Sequence, residues 1–168
     1  MRYINIFLYI SMLTLFCSVN ANAGARARVT CPADKPLTWG CVRDAALRYN
    51  LPFAALVGVL AVEGGKVGEA LDNKNRTWDL GPAQVNTCHL GELAEAGFSP
   101  DAILRDGCVN IHAAAWILRK EYDRTRNLWT AIGAYHSRTP HLHRAYKQRV
   151  QRHLRRFART GRLPSLPY

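Results

Sequence analysis

The chain has 168 residues and a formal net charge of +11. That length suits a single domain. Its five cysteines form no C-x-x-C pair, which excludes zinc ribbons and thioredoxin-like redox chemistry. The excess of cations suits a polyanionic partner: a cell-wall polymer, a membrane surface or nucleic acid.

The first element is a leader. Arg2 gives a short positive start, "INIFLYISMLTLFCSVN" an apolar core, and Ala21-Asn22-Ala23 a small-x-small cleavage site. The apolar run is short for a membrane span, so residues 1–23 read as a cleaved secretory signal peptide and 24–168 as the working domain. Phe16 is too bulky to precede a lipid-bearing Cys17. Cleavage leaves Cys31, Cys41, Cys88 and Cys108, an even number that predicts two disulfides in an exported protein and allows three pairings.

"WGCVRDAALRYN" predicts an amphipathic helix with Val42, Ala45, Ala46 and Tyr49 on one side. Asn50 ends it, and Pro52 opens "PFAALVGVLAVEGG". This segment is apolar almost all round, as a buried central helix is. Gly64 and Gly65 stop it. Residues 66–86 are polar and too long for a plain connection, which predicts a functional loop with room for a small β-hairpin. "TCHLGELAEAG" and "SPDAILRD" follow as short helices, the second with Ser99 as its cap. Asp106 caps a longer helix with Val109, Ala113, Trp116 and Ile117 as its apolar stripe. "LWTAIGAYHSR" is another helical segment, and Thr139-Pro140 opens a last helix over about 139–161. The tail "RLPSLPY" reads as extended. The fold class is mainly α.

Glu63 is the residue that raises a question. It is the only carboxylate of its helix and stands at the C-terminal end, where the helix dipole disfavours negative charge. Apolar neighbours would strip its hydration and favour the neutral acid too. Both effects suit a general acid that protonates a sugar–oxygen bond. Pattern alone is equally consistent with an exposed Glu at a fraying helix end. The segment "WDLGPAQVN" adds Trp78, Asp79, Gln84 and Asn86, a ring and polar groups of the kind that line a sugar-binding cleft. Gly81 and Pro82 would fix a turn there.

The order Glu-Gly-Gly, "DLGPAQVNT", "DGCVNIHAAAWIL", "AIGAYHSRTP" resembles the lytic transglycosylases of the lysozyme-like superfamily. It is most similar to the small exported branch that accompanies secretion, conjugation and pilus machinery. The resemblance covers about Cys41 to Tyr146. It implies a goose-type-lysozyme (SLT) helical domain with a cleft, acting in the periplasm on peptidoglycan glycan strands. It implies no cofactor and no metal, and a monomer that meets components of an envelope-spanning complex. Glu63 takes the place of the single acid/base. Gly81 and Gln84 match the glycine and glutamine of the family's Gly-Leu-Met-Gln, with Pro82 and Ala83 between them. Tyr135 matches the tyrosine of Ala-Tyr-Asn, expected near the carboxylate, and His136 stands where the family has asparagine. Trp78, Asp79 and Asn86 join them as ligand contacts. The resemblance also implies a Cys41–Cys108 bridge and, with it, a second between Cys31 and Cys88.

Two chemistries follow. A hydrolase needs a second carboxylate, for which Asp79 is the candidate, with Glu69 and Asp72 nearby. The transglycosylase pattern uses one: the C6 hydroxyl closes onto C1 and leaves a 1,6-anhydro end. Asp79 then organises the loop or contacts ligand, or is simply a turn residue. A non-catalytic wall-binding protein on the same fold is the third alternative. The last helix carries Arg144, Lys147, Arg149, Arg152, Arg155, Arg156, Arg159 and Arg162 around an apolar stripe of Tyr146, Val150, Leu154 and Phe157. Its basic face is either simply solvated or drawn to anionic wall or membrane; no nucleic-acid motif is present. His136, His141 and His143 match no zinc spacing and read as surface residues, except His136 at the cleft.

Overall fold

A computed structural model describes residues 17–21 and 26–166. The leader's residues 1–16 and Asn22-Ala23 lie outside them. Helix α1 (Trp39–Arg48) starts at Thr38, whose Oγ1 accepts from the Cys41 amide at 3.2 Å. It buries Cys41, Val42, Ala45 and Ala46, the side its period predicted. Helix α2 (Phe53–Glu63) buries every residue from Ala55 to Leu60. It lies in the core between α1 and the last helix, α7 (Pro140–Thr160). Gly58 permits that approach, because a Cβ there would press on Val150 and Leu154. Gly64 ends α2 in the left-handed conformation (φ 60°), its amide bonded to Leu60 O at 3.1 Å.

Two short helices, α3 (Leu90–Glu95) and α4 (Pro100–Arg105), lead to α5 (Gly107–Thr125). Ser99 occupies the cap position of α4 but makes no side-chain cap bond. Asp106 caps α5 through the amides of Cys108 and Val109. Helix α6 (Leu128–His136) packs against α5 and α7. In α7, Tyr146 and Val150 are fully buried and Leu154 packs on the core. Among the described residues no helix is long and apolar enough to cross a membrane.

The polar loop holds more strand than one hairpin. β1 (Ser18–Asn20), β2 (Arg28–Thr30), β3 (Glu69–Asp72), β4 (Trp78–Leu80) and β5 (Val85–Asn86) form one antiparallel sheet in chain order. Each strand has two to four residues, too few for an alternating pattern to stand out.

The sheet register corrects the disulfide assignment. Cys41 bridges Cys108, tying α1 to the start of α5. Cys31, however, pairs with Cys17, and Cys88 is free and exposed. The β1–β2 ladder sets Ser18 opposite Thr30, so the next position sets Cys17 opposite Cys31, with Cα atoms 4.2 Å apart. Carrying the register across the sheet leaves Cys31 and Cys88 about 20 Å apart, several residue steps and strand spacings away. A bridge needs Cα atoms within about 7 Å.

Candidate active site

The Glu-Gly-Gly sequence seats one helix end on one loop. Gly64 turns the chain, and the Gly65 amide donates to Pro82 O at 3.2 Å. A side chain on Gly65 would run into the Gly81 carbonyl and the Gln84 amide. Gly81 has φ 64°, and a Cβ there would meet Asn110. Buried Asn110 of α5 holds the loop from below. Its Nδ2 donates to Leu80 O and to Ile103 O, both at 2.9 Å, and its Oδ1 accepts from Ala83 N at 2.9 Å. Tyr135 of α6 donates its hydroxyl to Ala83 O at 2.7 Å, and Gln84 Nε2 donates to Gly81 O at 2.9 Å. The carbonyls of residues 80 to 83 are thus all bonded, which makes this loop a rigid wall.

That wall borders a cleft of about 740 Å³ lined by Glu63, Asp79, Gln84, Asn86, Tyr135, His136 and Arg149, among others. A second cavity of about 650 Å³, where α1 meets α2, has no carboxylate in its lining. It offers no acid for bond cleavage.

Glu63 lines this cleft and is partly accessible. Burial of its carboxyl pushes its pKa up to about 7, and the charge of Asp79 adds to this. Tyr146 and Arg149 of α7 act the other way. The Tyr146 hydroxyl is buried without a partner of ordinary hydrogen-bond geometry, so its contact with Glu63 is a loose one. The Tyr135 hydroxyl also lies in the field of Glu63, and burial holds it well above the ordinary phenol range. His136 stacks on Tyr146 with ring centroids 4.7 Å apart and planes 5° apart. Burial and then Arg149 lower its pKa, which favours the neutral ring.

Asp79 is occupied on both oxygens. Asn86 Nδ2 donates to Oδ1 at 2.8 Å, and Arg26 donates to Oδ2 at 3.2 Å. Asn86 also bonds Thr77 and accepts from Cys88 N.

Glu63, Asp79, Gln84, Asn86, Tyr135 and His136 therefore meet in one cleft. Trp78 and Gly81 correct the expected placement, since neither lines it. Successive strand residues point to opposite sheet faces, so Asp79 facing the cleft turns Trp78 toward the core, which it packs against. Gly81 is buried at the turn of the loop. Sequence reasoning missed Tyr146, Arg149 and Arg26. An apolar stripe predicts that Tyr146 is buried, but not where its hydroxyl ends. His143 Nε2 donates to Thr130 O at 3.0 Å and wedges α7 against Gly133. Among the described residues no cluster of His, Cys, Asp and Glu could hold a metal ion.

A mainly helical, lysozyme-like domain with a half-buried carboxyl at the end of its central helix defines the class. The chain belongs to the family of the transglycosylase SLT domain, which matches residues 40–157. It is similar to Protein IpgF of Shigella flexneri, 32% identical over 100 residues, covering 59% of this chain and 66% of that protein. It is similar to Invasion protein IagB of Salmonella typhimurium, 29% identical over 100 residues, covering 59% and 62%. Over 57 residues it is 35% identical to the X polypeptide of Escherichia coli, 34% of each chain. The matches to IpgF and IagB span a little under two thirds of those proteins' lengths.

Proposed function

We propose that the protein is a periplasmic lytic transglycosylase that cleaves the β-1,4 bond between N-acetylmuramic acid and N-acetylglucosamine in peptidoglycan. The observation that carries this is Glu63: a carboxyl held by burial near pKa 7 in the lining of the cleft. At neutral pH a large fraction of it is protonated and ready to donate to the glycosidic oxygen. The donated proton leaves a carboxylate. That carboxylate accepts the proton of the muramyl C6 hydroxyl as its oxygen closes onto C1, and Glu63 is restored. The product is a 1,6-anhydro-muramyl end.

Asp79 supports the one-carboxylate route. Asn86 and Arg26 tie its carboxylate to the loop and the sheet, as suits a positioning group. Its charge helps keep Glu63 protonated. The Cys41–Cys108 disulfide, which lies wholly beyond the leader, fits an oxidising compartment outside the cytoplasm. Similarity to an invasion protein supports local wall opening for an envelope-spanning apparatus.

Purified sacculi digested with the protein test the proposal. Mass spectrometry is expected to find anhydro-muramyl ends, and Glu63→Gln is expected to release none. Reducing ends in their place would make it a muramidase. Release by Glu63→Gln at the wild-type rate would remove Glu63 from the chemistry.

A further inference from the structure

The basic face of α7 is not an even coat. Arg149, Arg152, Arg156 and Arg159 are spaced by three or four residues, so they form one row along the helix, all exposed. The row begins in the cleft, where Arg149 lies over the Tyr146 ring (5.4 Å) and shares the lining with Glu63. Gly58 of α2 meets Val150 and Leu154, while Glu63, one turn further on, meets Tyr146. The two helices are therefore antiparallel, and the row leads outward from the cleft for about 15 Å.

We propose that this row extends the glycan cleft and binds the carboxylates of the peptide stems carried by the strand. The inference rests on the peptidoglycan reading above. Four observations favour it. No ion pair among the described residues involves these arginines. No Asp or Glu occurs in the chain after Asp123 to supply one locally. The row is continuous with the site, so a strand held at Glu63 presents its neighbouring stems to it. A membrane fits less well: an interfacial helix lays an apolar face into lipid, and the apolar face of α7 is spent on α2 and the core.

The test uses the Glu63→Gln protein, which is expected to hold substrate without cutting it. Its binding to intact sacculi is compared with binding to sacculi whose stems an amidase has removed. Replacing Arg152, Arg156 and Arg159 together by Ala is expected to weaken binding to intact sacculi about tenfold. The same change is expected to leave binding to stripped sacculi unchanged, and added salt to mimic it. Arg43 and Arg48 of α1 together with Arg144, all exposed and outside the row, serve as the matched control and are expected to have little effect. An equal loss on both sacculi, or none on either, overturns the proposal. So does a loss confined to vesicles containing phosphatidylglycerol. If the parent binds neither kind of sacculus, the peptidoglycan reading itself fails, and this one with it.

Discussion

The imidazole of His136 lies flat on the ring of Tyr146, 4.7 Å between centroids. This contact joins the end of α6 to α7 beside Glu63, so two consecutive helices fix the setting of a carboxyl that stands far earlier in the chain. Tyr146 is the member that acts on it directly, by favouring the anion. Tyr146→Phe is therefore expected to raise the Glu63 pKa above about 7. The alkaline limb of the pH–rate profile should move to higher pH with the fold intact, because the lost hydroxyl had no well-formed bond. A limb unmoved or shifted downward would contradict the assignment.

Tyr135→Phe is expected to behave differently. It removes the 2.7 Å bond to Ala83 O and leaves a buried carbonyl unpaired. The cost should be about 1–3 kcal/mol in urea unfolding, with loss of activity through a loosened loop. A stability equal to wild type would show that the loop does not need this bond.

Glu63 is expected to reduce stability at alkaline pH. Its folded pKa, about 7, lies above the ordinary value of 4.5, so the folded chain binds the extra proton between those values. Stability from this group is full below about pH 4.5 and is lost as pH rises through 7. The loss should approach about 3 kcal/mol. Glu63→Gln removes the titration and should be more stable than wild type at pH 8, with the difference shrinking toward pH 4. Parallel urea curves at both pH values decide it.

Gly65→Ala tests the seating of α2 on the loop. The added methyl would meet the backbone of Gly81, which has no room to yield because Asn110 packs beneath it. Activity should fall sharply, whereas Gly91→Ala, which meets nothing within 4 Å, should be silent. An active Gly65→Ala protein would show that the loop can move without harm.

Peptide mapping without reduction is expected to join Cys41 to Cys108 and, in the chain that retains Cys17, Cys17 to Cys31, with Cys88 free. A chain cut after Ala23 loses Cys17, so it should titrate with two thiols, Cys31 and Cys88. Bulky alkylation of Cys88, which lines the cleft, should hinder glycan binding. A Cys31–Cys88 peptide would overturn the sheet register.

Much was legible in the sequence because it depends on neighbours along the chain. Val42, Ala45 and Ala46 mark a buried helix face by period alone, and Asp106 marks a helix start. The glycines after Glu63 mark a helix stop, and four ordered motifs mark the family. The positions that sequence reasoning missed depend on distant backbone. Trp78 looked like a sugar platform, but a strand register turned it inward and gave its neighbour Asp79 the cleft. Cys31 and Cys88 were the expected pair until the sheet set Cys17 opposite Cys31. Tyr146 was expected in the core, and it is there, yet its hydroxyl emerges at Glu63 only because α7 crosses α2 over Gly58. Sequence alone thus determined the helices and the family, and singled out Glu63 as the candidate acid. Tertiary structure decided which groups surround that acid, since burial and charge sum over everything packed against it, wherever it lies in the chain.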